Sequence, residues 1–222
     1  MALNLLMLGP PGAGKGTQAE RFARNRGIPK ISTGEILREA VQAGTDIGKR
    51  AKAVMDRGEL VGDDVMIGIV RERLERDDAN DGFVLDGFPR TVAQASALDA
   101  IMNGRDPLIV IDIAVPEAEL VRRLGTRLIC DDCGTNAPVA RGAATCAKCG
   151  GKLVQRADDN QAVVIERLKV YHRQSEPLVE YYRVRPTFYS IDGAQPPDRV
   201  AADLAAAIEA AGHAAVRHGA PR

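Results

Sequence analysis

The segment Leu3-Asn4-Leu5-Leu6-Met7-Leu8-Gly9-Pro10-Pro11-Gly12-Ala13-Gly14-Lys15-Gly16-Thr17 decides the fold. Its apolar first half, Leu3 to Leu8, reads as a buried strand, and Thr17 to Phe22 reads as the opening of a helix. Between them Gly9, Gly14 and Lys15 fit G-x-x-x-x-G-K, a phosphate-cradling loop. Glycines let backbone N–H groups converge on phosphate oxygens without Cβ obstruction, and the helix N-terminus adds a favourable dipole. Lys15 supplies a point charge able to follow a phosphoryl group. The plainer alternative is a glycine turn with a surface lysine, but strand, loop and helix occur together at full spacing. Gly16 departs from the general pattern: most such loops carry there the Ser or Thr that binds magnesium, and here the hydroxyl comes at Thr17.

A chain of 222 residues can bury a full core, most simply as one domain with insertions. Thirty basic and thirty acidic residues give a formal net charge of zero, which argues against holding nucleic acid or anionic membrane by bulk electrostatics. No run of about 18 apolar residues is present, so no membrane span is expected. The N-terminus lacks a basic stretch ahead of its apolar run, and the expected location is the cytoplasm.

Further along, Ile28 to Ser32 reads as a short strand leading into Thr33, with Ser32 or Thr33 as N-cap. Residues 35–43 and 46–57 form short, interrupted helices, suggesting an inserted flap. Asp63 is expected to cap a helix over 64–76, whose apolar residues recur at helical spacing. Phe83 to Leu85 reads as an interior strand ending on Asp86 and Gly87. A helix over 91–102, a buried strand within 107–115 and a helix over 117–124 follow. After a polar insert, 127–159, come a helix over 161–173, a kink or restart at Pro177, a strand at 187–191 and a last helix over 198–211. Residues 212–222 read as a loose tail. Strands alternating with helices imply a parallel sheet covered on both faces, with ligands beyond the carboxyl ends of its strands.

All four cysteines fall in the insert, as Cys130-x-x-Cys133 and Cys146-x-x-Cys149 with twelve residues between the pairs. Four thiolates so placed can wrap one tetrahedral Zn²⁺, with Gly134 and Gly150 supplying the turns. A reducible disulfide pair is the alternative. A Cys₄ site is closed to water, so such a metal shapes the insert and does no chemistry. The insert also resembles a nucleic-acid ribbon in outline, but it carries Asp131, Asp132, Asp158 and Asp159 and no aromatic residue on which a base could stack.

Phosphoryl transfer asks a protein for positioning and positive charge, and guanidinium groups suit both. Arg38, Arg90, Arg123, Arg127, Arg156 and Arg167 each lie beside an expected strand end, flap or insert boundary. With them, Gly9 to Thr17 (GPPGAGKGT), Ile31 to Leu37 (ISTGEIL), Leu85 to Thr91 (LDGFPRT), Gln155 to Asn160 (QRADDN) and Pro177 to Tyr182 (PLVEYY) resemble adenylate kinase, and the cysteine insert is similar to the zinc-bearing lid of the long bacterial form. The likeness runs from about residue 3 to 210.

The resemblance implies a P-loop, nucleoside-monophosphate-kinase-like α/β fold. That fold has three α/β/α layers on a five-stranded parallel sheet. The core would comprise 1–31, 62–126 and 161–222, the monophosphate flap 32–61 and the zinc-bearing lid 127–160. It implies the reaction ATP + AMP ⇌ 2 ADP with Mg²⁺, structural Zn²⁺, and a monomer with no nucleic-acid or membrane partner. ATP would engage Gly12, Ala13, Gly14, Lys15, Gly16, Thr17, Arg123, Arg127 and Gln195. AMP would engage Thr33, Arg38, Glu59, Leu60, Val61, Gly87, Phe88, Pro89, Arg90, Gln94, Arg156 and Arg167, with Gln94 reading the adenine edge. Lys15, Arg90, Arg127, Arg156 and Arg167 would act on the transferred phosphoryl, and Asp86 would orient magnesium through water. Cys130, Cys133, Cys146 and Cys149 would bind the zinc. A cis bond at Phe88-Pro89 belongs to the same pattern, and Asp158 and Asp159 read equally as helix N-caps or as lid-hinge supports. Leu128 stands where many relatives carry a second arginine, and the spacing between cysteine pairs is short for such lids, so no ATP contact is carried over to Asn136 or Ala137. A kinase for GMP, UMP or CMP is the neighbouring alternative.

Overall fold

Strand β1 (Leu3–Leu8) is buried along nearly its whole length, and its side chains alternate between two cores. Leu5 and Met7 join one apolar cluster, Leu6 and Leu8 the other. A strand lined by both faces of a sheet has to be apolar throughout, which is why the sequence shows a continuous run there and no alternation. In this computed structural model, which describes residues 2–137 and 145–218, five parallel strands follow the order β2-β3-β1-β4-β7. They are β2 (Lys30–Ser32), β3 (Gly82–Asp86), β1, β4 (Leu108–Ala114) and β7 (Phe188–Asp192).

One face is covered by α1 (Lys15–Arg26), α6 (Glu117–Gly125), α7 (Gln161–Val170) and α9 (Pro197–His218), through residues such as Phe22, Leu124, Leu168 and Leu204. The other is covered by α4 (Asp63–Leu74), α5 (Val92–Met102) and α8 (Pro177–Tyr182), through Val70, Leu98 and Tyr182. Helices α2 (Thr33–Gln42) and α3 (Asp46–Asp56) form the expected interrupted pair, pinned to the second core by Leu37 and Ala51. From the central β1 the chain goes first to the edge strand β2, returns to β3 beside β1, and then crosses to the other side for β4 and β7. The crevice at the carboxyl end of β1 therefore lies where the strand order reverses.

Several local expectations are corrected. Gly62, not Asp63, holds the N-cap position of α4, and Asp63 begins the helix with its carboxylate turned toward α5. Ser32 occupies the N-cap position of α2, but its hydroxyl reaches Asp86 Oδ2 at 3.4 Å instead of capping. Asn160 caps α7 by accepting from Val163 N at 3.1 Å, so neither Asp158 nor Asp159 does. The helix expected over 161–173 ends as α-helix at Val170 and passes through a wider π turn, Tyr171–Ser175, before Pro177 restarts it. Proline has no N–H to donate backwards and fits at the start of the new helix. Helix α9 continues to His218, past the expected end at Ala211, and residues 219–222 lie outside the described part. Phe88-Pro89 is cis. The insert forms a two-stranded antiparallel ribbon, β5 (Leu128–Cys130) with β6 (Leu153–Gln155), which the sequence reading did not contain.

The α2–α3 segment lies against α7 through Gly58, which is buried at φ +75°. A Cβ there would stand 2.9 Å from Arg167 Cγ and 3.1 Å from both Val163 Cγ1 and Val163 O. Gly44, in the same segment at φ +68°, would meet nothing within 4 Å. Gly44→Ala should therefore show backbone strain alone, about 1–2 kcal/mol. Gly58→Ala adds an overpacking cost of about 1–3 kcal/mol that falls on the contact with α7. Hydrogen exchange of α3 amides should be roughly tenfold faster in Gly58→Ala than in Gly44→Ala, and equal rates would show that the segment does not seat on α7.

Candidate active site

The carboxyl ends of β1 and β3 open into a cleft of about 670 Å³, continuous from the loop after β1 to the π turn. Gly12, Ala13, Gly14 and Lys15 line its floor, with Gly16 and Thr17 in the first turn of α1. Lys15 Nζ donates to Gly9 O at 2.7 Å and to Pro10 O at 2.8 Å, so two of its three N–H bonds brace the loop that carries it. Burial lowers its pKa from the ordinary 10.5 to about 8; Arg90, Arg167 and Arg127 push the same way and Asp86 opposes them.

Gly16 has a positional reason. A Cβ at that residue would lie 3.2 Å from Asp86 Oδ2, so glycine lets the carboxylate at the end of β3 close over the start of α1. Asp86 and the exposed hydroxyl of Thr17 both border the cleft, an all-oxygen donor set suited to a hard cation such as Mg²⁺.

Five arginines converge on the cleft from different parts of the chain. Arg127, just after α6, makes two hydrogen bonds to Asp159, Nε to Oδ2 at 2.7 Å and Nη2 to Oδ1 at 2.5 Å. Arg167 on α7 reaches the same Oδ1 at 2.9 Å and Asp158 Oδ2 at 3.0 Å. Asp159 is 1% exposed and is the acid that gathers both cations, a role the sequence reading left level with a helix cap. Arg156 donates to Asn136 Oδ1 at 3.0 Å, and its Nε is buried without a partner among the described residues. Burial first, then Arg127 and Arg38, lower the Arg156 pKa to about 9. Burial first, then Arg167 and Arg38, lower that of Arg90 to about 10. Arg38 is lowered too, again chiefly by burial. Burial disfavours the ionised form of Asp158, yet Arg167, Arg156, Arg127 and Arg38 together hold its pKa below the ordinary value.

A smaller inner pocket of about 70 Å³ opens off the cleft between the α2–α3 segment and Gly87. Thr33, Arg38, Glu59, Leu60, Val61, Gly87, Arg90 and Gln94 all border it, as the sequence grouping expected. Thr33 is buried and donates its hydroxyl to Gly87 O at 2.7 Å, and Arg90 Nε donates to the same carbonyl at 2.8 Å. Ser175, on the π turn, donates to Arg90 O at 2.9 Å and so fixes this corner from a third side. Three grouped residues behave differently from the rest, Arg156 bordering only the large cleft. Pro89 borders the large cleft, whereas the Phe88 side chain is 1% exposed within the second core and lines neither space.

At the opposite end, Arg123 is held by Glu119 at 2.7 Å and donates to Gly193 O at 2.9 Å. Gln195 borders the cleft, and its amide Nε2 donates to Asp192 O and Asp203 Oδ2. Asn136 and Ala137 also line the cleft, although the sequence reading assigned them no contact. The lid tip, 138–144, lies outside the described residues.

The four cysteines come together as anticipated. Their sulfurs all lie within 4.8 Å of one another, with Cys130–Cys149 at 3.4 Å and Cys133–Cys146 at 3.7 Å. A tetrahedral ion with metal–sulfur bonds of about 2.3 Å needs sulfurs about 3.8 Å apart, so the set fits one metal ion. Each pair is turned by a closed loop, Gly134 N to Cys130 O at 3.0 Å and Gly150 N to Cys146 O at 2.8 Å. None of the four is in a disulfide.

Residues 7–187 match the family described as adenylate kinase. The chain is 50% identical over 214 residues to an adenylate kinase of Archaeoglobus fulgidus, covering 93% of this chain and 98% of that protein. It is 46% identical over 215 residues to one of Rhizobium etli, with 93% and 99% covered. It is 50% identical over 210 residues to one of a Geobacillus species, with 91% and 96% covered. A family model matched over most of the chain, and 46–50% identity across nearly the whole of these relatives, show that the chain belongs to the adenylate kinase family, a family of phosphotransferases acting on nucleoside monophosphates.

Proposed function

We propose that the chain catalyses ATP + AMP ⇌ 2 ADP with magnesium, ATP lying along the large cleft and AMP in the inner pocket. The observation that carries this reading is the convergence of four cations, Lys15, Arg90, Arg127 and Arg167, on the walls of one cleft. A phosphate group arriving among them relieves their mutual repulsion. The triphosphate rests on the N–H groups of 12–17, with Arg123 and Arg127 at its adenosine end and flank. Thr33, Arg38 and Arg90 hold AMP, the backbone of 59–61 closes over it, and Gln94 faces its base. A phosphate oxygen of AMP attacks the γ-phosphorus of ATP as the bond to the β-phosphate oxygen breaks, and the electron pair leaves on ADP. The attacking oxygen is already anionic, so no side-chain base is required, and the protein contributes alignment and charge. Lys15, Arg156 and Arg167 neutralise the moving group. Thr17 and, through water, Asp86 would hold Mg²⁺, which would draw charge from the triphosphate oxygens.

The three-part division, core 1–31, 62–126 and 161–222, flap 32–61 and lid 127–160, belongs to the same reading. Two closing segments keep water from the γ-phosphate. Among the described residues, no helix is long and apolar enough to cross a membrane. A cytoplasmic monomer without a nucleic-acid partner fits this proposal. The Cys₄ cluster would hold Zn²⁺ and brace the lid.

Lys15→Ala and Arg90→Ala should each lower turnover by at least 10²-fold with the fold retained, since each removes a charge aimed at the transferred group. A coupled assay on variants of native circular dichroism measures this, and near-normal turnover in either removes that residue from the mechanism. Cys146→Ser should lose bound zinc by elemental analysis and lower the Tm of the lid while keeping measurable activity at low temperature. Full inactivity of the folded variant would mean the metal does more than brace.

A further inference from the structure

The carboxamide of Gln94 is held by two partners that can each play only one role. Its Oε1 accepts from the backbone N–H of Arg90 at 2.7 Å, and a backbone N–H only donates. Its Nε2 donates to Asp63 Oδ1 at 2.7 Å, and an ionised carboxylate only accepts. Asp63 is itself oriented, because its Oδ2 accepts from the Thr91 hydroxyl at 3.0 Å. Thr91 in turn accepts from Gln94 N at 3.2 Å as the N-cap of α5. Asp63 is free for this work because Gly62 takes the cap position of α4. The Gln94 side chain is 2% exposed and borders the inner pocket.

After these bonds the amide keeps one unused N–H and one unused lone pair, offered in a fixed order. Resting on the reading that this pocket receives the base of the monophosphate, we propose that Asp63 determines specificity, locking Gln94 so that the pocket admits a 6-aminopurine and refuses a 6-oxopurine. The edge of adenine donates from its 6-amino group and accepts at N1, which a carboxamide matches with its oxygen and nitrogen respectively. Hypoxanthine and guanine present the reverse, an accepting O6 and a donating N1–H. To meet that edge the amide has to turn over. Nε2 then faces the N–H of Arg90, and Oε1 faces the Asp63 carboxylate. Both contacts set like against like in a buried place, where an unmatched polar group is costly. A site built to pair hydrogen-bonding groups rejects a mismatched analogue far more strongly than an apolar pocket does.

Inosine monophosphate differs from AMP only at these two positions and is the probe. Asp63→Asn keeps the size of the side chain but can face either amide sense. Its kcat/KM for AMP relative to that for inosine monophosphate should fall at least tenfold from the wild-type ratio, through KM for the monophosphates, with KM for ATP unchanged. Equal losses for both monophosphates, leaving the ratio constant, would overturn the proposal and leave Asp63 a structural residue. If Asp63→Asn does not fold, Asp63→Ser, which also removes the carboxylate, is read by the same ratio. Gln94→Leu separates the two layers of the argument. A wild-type ratio in that variant means Gln94 does not read the base and the pocket assignment fails. A collapsed ratio in Gln94→Leu with an unchanged one in Asp63→Asn means only the lock fails.

Discussion

A single buried carboxylate, Asp159, joins the parts of this molecule that matter. It sits 1% exposed between Arg127, on the strand side of the insert, and Arg167, on the helix after it. A buried acid without partners is too costly to keep ionised, and two guanidinium groups at one cleft repel each other. Each problem is the other's remedy. Removing one member of such a buried arrangement costs roughly 3–5 kcal/mol, because the remaining charge is stranded. The clamp also ties the two ends of the cysteine insert to one point, so the insert's position and the cation arrangement are set together.

The clamp does not neutralise everything. Lys15, Arg38, Arg90 and Arg156 are left with their pKa values pulled down chiefly by burial and next by neighbouring arginines, Arg127 and Arg167 among them. Cations gathered at one cleft attract polyanions. The sheet supplies the frame. Because β1 is central and alternates its side chains between two cores, the loop that follows it is anchored from both sides. Gly16 then brings Asp86 over the first turn of α1, and Gly58 brings the α2–α3 segment onto α7. Close approach at these two glycines narrows the cleft.

Much of this was legible in the chain. A strand buried on both faces leaves an unbroken apolar run, and a phosphate loop leaves its glycines and lysine at fixed spacing, so β1 and the floor of the cleft could be read directly. The cysteine spacing likewise carried its own geometry. What stayed hidden depends on tertiary partners. Asp158, Asp159 and Asn160 are all good N-cap residues, and only the positions of Arg127 and Arg167 decide that Asn160 caps while Asp159 pairs. Asp63 follows a glycine that can cap, and its bond to Gln94 spans 31 residues, beyond any local pattern. Phe88 lies in a motif shared with cleft residues, but the bend at that motif turns its ring into the core. The alanine-rich stretch before Gly212, with Ala214 and Ala215 beyond it, favours helix strongly enough to carry α9 past a residue that reads as a stop.

The central claim is that the gathered cations move a phosphoryl group between two nucleotides and not to water. ATP labelled at its γ-phosphate, incubated with the purified protein, magnesium and AMP, tests this most directly. The account predicts that the label appears in ADP, and that without AMP its release as inorganic phosphate is slower by orders of magnitude. Release as inorganic phosphate at the same rate with and without AMP would contradict it.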